Sequence, residues 1–173
     1  ESPLGNLTAD GLIWIAKRFF DVDADVSLYN SGGIRAEVSK GNVTLGDVYA
    51  VYPFDNALSL VTMKGRGIKT LFEHMAEEGG MPVNKAVKLV IKGKKVKSVT
   101  IDGKPVDDEK VYKVATIDYL VNTGRYGLDK ALTRSDSAEM VRDYFGEYFR
   151  YLSAQDPYGH ISASVDGRIV IEY

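Results

Sequence analysis

Apolar residues recur over the first twenty positions at roughly the spacing of one helix face. Ser2 followed by Pro3 has the form of an N-cap and a proline at the first helical position. The pattern predicts a helix over residues 3–20 that packs on a sheet, followed by a polar break from Asp21 to Asp25. The positions that mark its apolar face are Leu4, Leu7, Ile15 and Phe19.

Three further helices are predicted from capping residues and apolar periodicity. Thr44 can cap a short helix that Pro53 helps to terminate. A second helix carries Ile68, Leu71, Phe72 and Met75 on one face and ends at Gly79-Gly80. Apolar and aromatic residues from Met140 to Leu152 predict a long amphipathic helix, and such a stripe is typical of core packing.

Short runs rich in β-branched residues predict six strands. The third and fourth read as a hairpin, because a basic run, Lys92 to Lys97, lies between them as a solvated tip. Helices and strands interleave irregularly, so we predict an α+β single domain over residues 1–173, with a mixed β-sheet flanked by helices. The strands are expected at 26–29, 57–63 (ended by Gly65-Arg66-Gly67), 87–91, 96–101, 111–116 and 168–171.

Composition excludes several classes of function. A net charge of -2 with a single basic run gives no sign of a nucleic-acid partner. No apolar run approaches transmembrane length and no signal peptide is recognisable, and the start at Glu1 suggests a processed product or an excised domain. Cysteine is absent, and His74 and His160 lie in no metal-ligand spacing, so we expect this chain to bind no metal or other cofactor.

The stretch Asn30-Ser31-Gly32-Gly33-Ile34-Arg35 follows a predicted strand and carries unusual chemistry. The paired glycines remove two Cβ atoms and allow positive φ, so backbone N–H groups can turn toward a ligand. Asn30 adds donors and an acceptor, and Arg35 adds a planar cation suited to carboxylate or phosphate. These features predict a loop that binds a polar, anionic ligand. The alternative is a simple turn followed by a solvated arginine.

Two aromatic residues, Phe54 and Tyr119, lie among Pro, Asp and Asn residues in the loops 52–56 and 118–127. If these loops converge, the two rings could face one another and accept a planar heterocycle, with stacking of ~1–3 kcal/mol per base. The alternative makes both rings ordinary lids on the core. No Ser/His/Asp arrangement, P-loop or GxSxG motif occurs, so binding groups are present without hydrolytic machinery.

Four blocks, in order along the chain, resemble the C-terminal domain of the 5'-nucleotidases and UDP-sugar hydrolases. Any one block is weak evidence, but the ordered set is specific. The blocks are Leu4-Gly5-Asn6-Leu7, Asn30 to Arg35, Gly46-Asp47-Val48 with Tyr52 to Asn56, and Val114 to Leu120.

The resemblance implies a division of labour. A separate N-terminal metallophosphoesterase domain, in the same or a neighbouring chain, would hold divalent metal ions and attack the phosphate. This domain would recognise the nucleotide or nucleoside and rotate to deliver it, as part of a phosphoric monoester hydrolase of nucleotide catabolism. A periplasmic, cell-envelope or extracellular location is also implied.

The resemblance further assigns roles to individual residues. Asn30 and Arg35 would contact sugar or phosphate, and Gly32 and Gly33 would shape their loop. Phe54 and Tyr119 would sandwich the base, with Asn56 at its polar edge.

The chain departs from the family pattern after the second aromatic residue. Family members commonly carry a Gly-Asp loop there whose Asp holds the ribose, whereas this chain has Thr123-Gly124-Arg125-Tyr126-Gly127. Arg125 and Tyr126 are therefore further candidates for ligand contact, although Arg125 could be a solvated loop residue. An arginine expected before the first block would precede Glu1. The alternative function is a non-catalytic module that binds a small ligand with altered specificity.

Overall fold

Five α-helices and eight β-strands make up the fold in a computed structural model that describes residues 1–173 throughout. The helices are α1 (Pro3–Phe20), α2 (Leu45–Val51), α3 (Gly65–Glu77), α4 (Asp118–Asn122) and α5 (Val141–Gln155). The strands are β1 (Val26–Ser27), β2 (Ala57–Lys64), β3 (Val87–Lys92), β4 (Lys95–Ile101), β5 (Lys104–Pro105), β6 (Val111–Ile117), β7 (Thr133–Met140) and β8 (Ile169–Glu172). No helix has both the length and the hydropathy needed to cross a bilayer.

The starts of α1 and α2 follow from local side-chain chemistry. At the start of α1, the Ser2 hydroxyl accepts a hydrogen bond from the Gly5 N–H at 3.1 Å, with Pro3 in the first turn. At the start of α2, Thr44 and Asp47 form a capping box, each side chain accepting from the backbone N–H of the other. The predicted helix over residues 3–20 and the Thr44-capped helix are confirmed.

The strands form two four-stranded sheets. The first has the order β1-β6-β2-β7, with β1 parallel to β6 and the other pairs antiparallel. The second has the order β5-β4-β3-β8, with only β8 parallel to its neighbour. The α+β class is confirmed, although the predicted mixed sheet is divided into two mixed sheets that contribute to one apolar core. Helix α1 packs on α5 and β1, and α3 packs on β2 and β4.

The structure corrects the sequence prediction in several places. Strand β7 was missed because seven of its eight residues are polar or small and it lies at a sheet edge, where no apolar alternation is needed. Helix α4 occupies the first part of the segment 118–127, which the sequence predicts as a loop. Strand β1 ends at Ser27, since Leu28 bridges to Val83 instead. Strand β2 ends immediately before Gly65, as predicted, but Gly65 is also the first residue of α3, and a Cβ there would lie 1.7 Å from the Asp107 carbonyl oxygen.

Candidate functional site

The register of the first sheet brings the predicted site segments to one edge. Ser27 lies opposite Ala115, Leu58 opposite Ile117 and Ala57 opposite Met140. Because β2 runs against β6 and β7, its first residues lie beside their last ones, and parallel β1 ends on the same side. Four segments therefore meet there, and we refer to them as the loop edge. They are residues 30–35, 52–56, 118–122 and 141–143.

The 30–35 segment begins with a short 3₁₀ turn, Ser31–Gly33. The expectation of positive φ at the paired glycines is wrong, because neither adopts it. Gly33 is required for a different reason: a Cβ there would lie 2.6 Å from Cε1 of Tyr29 and 2.9 Å from Oδ1 of Asn30. That Asn30 oxygen is buried and has no hydrogen-bond partner. The loop thus holds a shielded acceptor next to a glycine that leaves it room.

Arg35 lies at the end of this segment with its side chain exposed. Its backbone N–H donates to the Val51 carbonyl at 2.9 Å, which fixes the residue against the end of α2. The guanidinium itself forms no ion pair or hydrogen bond within the chain, in contrast to Arg142 and Arg168. It is therefore free to form charge-assisted hydrogen bonds with an anion.

Phe54 and Tyr119 are both strongly exposed, at 47% and 51% of their surfaces. About half of each residue is therefore accessible to a ligand. Phe54 precedes β2, and Tyr119 lies in the first turn of α4, directly after β6. Neither ring takes part in the aromatic contacts of the fold, so no other aromatic side chain of this chain stacks on either of them.

Asn56 is partly buried at the start of β2. Its carbonyl oxygen accepts from the Val141 N–H at 2.7 Å, which ties the segment to the start of α5. Burial raises the pKa of the Tyr29 hydroxyl above its ordinary value, and a hydrogen bond involving the Asn56 side chain opposes that rise. Asn56 is accordingly held between the core and the loop edge.

Arg142, in the first turn of α5, is a residue of the loop edge that sequence reasoning missed. Its Nη1 donates to the Pro53 carbonyl at 3.0 Å, and its Nη2 pairs with Oδ1 of Asp55 at 2.6 Å. The guanidinium also lies 5.3 Å from the centre of the Tyr49 ring. No sequence signal could reveal these contacts, since they depend on β7 delivering α5 to this edge.

The two further candidates, Arg125 and Tyr126, are bound to Glu78 at the end of α3. Tyr126 is only 3% exposed, and its hydroxyl donates to Oε2 of Glu78 at 2.6 Å. Burial, assisted by Glu78, raises the pKa of Tyr126 to about 12. Arg125 pairs with Oε1 of the same carboxylate at 2.7 Å. The Tyr126 ring therefore belongs to the core, whereas Arg125 stays largely exposed.

The chain offers no set of ligands that fits a metal ion. No three side chains among His, Asp and Glu come together in such an arrangement. His74 lies 3.5 Å from Glu77 and His160 lies 3.5 Å from Asp156, and both are isolated exposed pairs. The divalent ions that the family resemblance implies do not fit the residues present here.

A large cleft that the sequence does not predict lies beside the 30–35 segment. It is an open cleft of about 1650 Å³ between the loop 34–44, the start of α1 and the outer face of α5. Arg35 lines it, but Phe54, Asn56 and Tyr119 do not. Its walls include a long irregular loop, so the polar and aromatic groups of the loop edge form the better-defined candidate site.

Comparison with known proteins gives a consistent result. The family model described as 5'-nucleotidase, C-terminal domain, matches residues 1–132. Protein UshA of Yersinia enterocolitica is 35% identical over 100 residues, which cover 56% of this chain and 18% of UshA. The trifunctional nucleotide phosphoesterase protein YfkN of Bacillus subtilis is 29% identical over 187 residues, covering 98% of this chain and 12% of YfkN.

Among solved structures, the 5'-nucleotidase precursor from Thermus thermophilus superposes with a TM-score of 0.85 at 28% identity. The match covers 99% of this chain and 35% of the Thermus chain. The chain thus spans about a third or less of the length of these three proteins.

Proposed function

The chain belongs to the 5'-nucleotidase C-terminal domain family, and we propose that it is the nucleotide- or nucleoside-binding domain of a 5'-nucleotidase-type phosphohydrolase. In this proposal, Phe54 and Tyr119 stack on the two faces of the base. Asn56 meets the polar edge of the base, and Asn30 and Arg35 contact sugar or phosphate.

One observation carries the proposal: the loop edge gathers two exposed aromatic rings, an unpaired guanidinium and a buried acceptor without a partner. A nucleotide offers the matching chemistry, since it has an aromatic base, hydroxyl donors on the sugar and an anionic phosphate. Base stacking on aromatic side chains contributes ~1–3 kcal/mol per base. Guanidinium–phosphate pairs are stronger than neutral hydrogen bonds.

Hydrolysis would be the task of a separate metallophosphoesterase domain, in the same polypeptide or a neighbouring one. Two-metal hydrolysis clamps the attacking and leaving oxygens between ions ~3.5–4 Å apart, and this chain has no ligand set for one such ion. The family membership supports this division of labour and a place in nucleotide catabolism. The same membership favours a periplasmic, cell-envelope or extracellular location.

A second candidate function is a non-catalytic binding module with altered specificity. It is favoured by the loop after Tyr119. Family members commonly carry a ribose-binding Asp in this loop, whereas this chain has Arg125, which forms an ion pair with Glu78. The two functions differ in whether the chain supports turnover of AMP when combined with a metallophosphoesterase domain of the family.

The base slot can be tested with the chain alone. We would measure the affinities of adenosine, guanosine and ribose 5-phosphate by calorimetry for the wild type, Phe54→Ala and Tyr119→Ala. Each variant should lose affinity for both nucleosides about equally and keep its affinity for ribose 5-phosphate, because only the stacking is removed. Tyr119→Phe should be mild. Unchanged nucleoside affinity with a strongly lowered thermal midpoint would overturn the slot.

A further inference from the structure

We propose that Arg142 is a positioning residue for the base slot: it holds the 52–56 segment, and with it the Phe54 ring, in the orientation needed for stacking. The proposal rests on the proposed function, because it names a residue through which the slot is maintained. Arg142 itself need not touch the ligand.

Arg142 contacts the two residues on either side of Phe54 and the ring of Tyr49 on α2. Its Nη1 binds the carbonyl of Pro53, the residue just before Phe54, and its Nη2 pairs with Asp55, the residue just after it. The Tyr49 ring supports the guanidinium from α2. One guanidinium thus holds the residues before and after Phe54, while the Phe54 ring itself stays exposed.

The backbone and a second side chain of the same helical turn reinforce these contacts. Val141 donates its N–H to the Asn56 carbonyl at 2.7 Å, which fixes the other end of the segment. The Tyr49 hydroxyl donates to Oδ1 of Asp143 at 2.5 Å, so the ring against which Arg142 lies is also held by α5. Residues 53–56 are therefore held by the start of α5, whereas Tyr52 anchors the beginning of the segment in the core.

The position of Arg142 is unfavourable for its own helix. A cation in the first turn opposes the helix dipole, whose positive end lies there. Its ion pair with Asp55 is screened by solvent, since the Asp55 side chain is 68% exposed. Neither the stability of α5 nor the ion pair with Asp55 explains why an arginine stands at this position. The hydrogen bond to the Pro53 carbonyl does explain it, because that bond holds the backbone next to Phe54.

Arginine is suited to this task and lysine is not. A guanidinium can bond a carbonyl and a carboxylate at once from a fixed fork and still lie against an aromatic ring. A lysine ammonium at the same place could retain the charge but would lose the planar contact with Tyr49 and the fixed fork. Arg142→Lys should therefore rescue the loss seen in Arg142→Met only in part.

A double-mutant cycle separates positioning from general stability. We would measure adenosine and ribose 5-phosphate affinities by calorimetry for the wild type, Arg142→Met, Phe54→Ala and the double variant. The matched control is Arg150→Met on the same helix, since Arg150 is exposed and pairs only with Glu147. The backbone N–H of Asn56 donates to the Phe54 carbonyl. The rate of hydrogen exchange at this N–H therefore measures how well ordered the 52–56 segment is when no ligand is bound.

Arg142→Met should raise the adenosine Kd at least about fivefold, the lower end of one stacking contact. Ribose 5-phosphate affinity should stay the same, Asn56 exchange should quicken, and the change should add nothing in the Phe54→Ala background. Arg150→Met should alter none of these. Additive losses in the cycle, or unchanged exchange at Asn56, would overturn the proposal.

Failure of the proposed function gives a different result. If the wild-type chain bound neither adenosine nor ribose 5-phosphate, the proposed nucleotide-binding function would be refuted. The proposed role of Arg142 in positioning the base slot would be refuted with it. Faster exchange in Arg142→Met would then still identify what holds the segment. If the wild type bound adenosine and Arg142→Met bound it equally well, only the positioning role would fall.

Discussion

Exchanging Gly33 for alanine tests the close approach on which the 30–35 segment depends. The new Cβ would lie 2.6 Å from Cε1 of Tyr29 and 2.9 Å from Oδ1 of Asn30. The Tyr29 ring has little freedom to withdraw, because it is 1% exposed and packs edge-on against Tyr52 and Phe145. The strain must then fall on the segment itself and displace the Asn30 amide.

The adjacent glycine provides a matched control. A Cβ on Gly32 would meet only the Asn30 amide nitrogen at 3.7 Å, an ordinary van der Waals contact. Gly32 is exposed and has no positive φ, so alanine fits its backbone. Gly33→Ala should cost about 1–3 kcal/mol, as overpacking in a filled site usually does. Gly32→Ala should be neutral or should stabilise the fold by about 0.4–1 kcal/mol through the unfolded chain.

These energies translate into measurable midpoints. For a chain of this length, 1 kcal/mol shifts Tm by roughly 2–4 °C, so Gly33→Ala should melt roughly 2–12 °C below the wild type. Gly32→Ala should melt at or slightly above it. Circular dichroism melts would give the midpoints, and calorimetry with AMP would show whether the displaced Asn30 also weakens binding. Equal midpoints for the two variants would refute the argument from close approach.

Three more predictions concern the anion contact, a buried ion cluster and catalysis. Arg35→Ala should weaken binding of AMP more than of adenosine, since a nucleoside offers no phosphate to the guanidinium; equal losses in calorimetry would instead indicate a sugar contact. Arg168→Met should lower the free energy of unfolding by about 3 kcal/mol, the lower end for a broken buried pair, because Asp10 and Asp166 are still 34% and 28% exposed. The pKa of Asp166 is lowered, chiefly by its hydrogen bond from Arg168, so its contribution is complete above the unfolded pKa of about 3.9 and is lost as pH falls through the folded pKa; urea titrations from pH 7 to pH 3 should therefore show a larger loss of stability in the wild type than in the variant, in which the other carboxylates still titrate. The chain alone should not hydrolyse AMP with added Mn²⁺ or Zn²⁺, and metal-dependent turnover by material free of contaminating phosphatase would contradict the division of labour.

The parts of the fold that the sequence could predict are those with strong local signals. Ser2-Pro3 and the Thr44 cap gave the starts of α1 and α2, because capping is decided within four residues. The hairpin β3-β4 followed from two apolar runs around a basic tip. Segments 30–35, 52–56 and 118–122 could be nominated from residue type alone, but their meeting at one edge depends on which distant strands pair, and no local pattern identifies β1 and β2 as the two neighbours of β6.

Predictions failed where the environment of a residue is set by a side chain that the local sequence pattern does not place. Gly33 looked like a residue for positive φ, yet it is needed because Tyr29 and Asn30 lie too close for a side chain. Tyr126 looked like a loop residue, yet Glu78 draws it into the core. Both partners lie within the chain, but only the folded structure shows which atoms they present.

Because the sequence does not predict strand β7, it also does not predict that the start of α5 lies at the loop edge. With little apolar pattern of its own, β7 is held to β2 by polar contacts: Ser59 Oγ donates to Asp136 at 2.6 Å, and the Leu58 N–H donates to Ser137 Oγ at 2.9 Å. These contacts lie where the register shifts between Ala57 and Ser59, so Met140 arrives opposite Ala57. The next residues are Val141 and Arg142, which therefore begin α5 beside the 52–56 segment. A polar edge strand without apolar alternation thus determines which side chains reach the 52–56 segment, and an insertion or deletion at its bulge should move Val141 and Arg142 away from that segment.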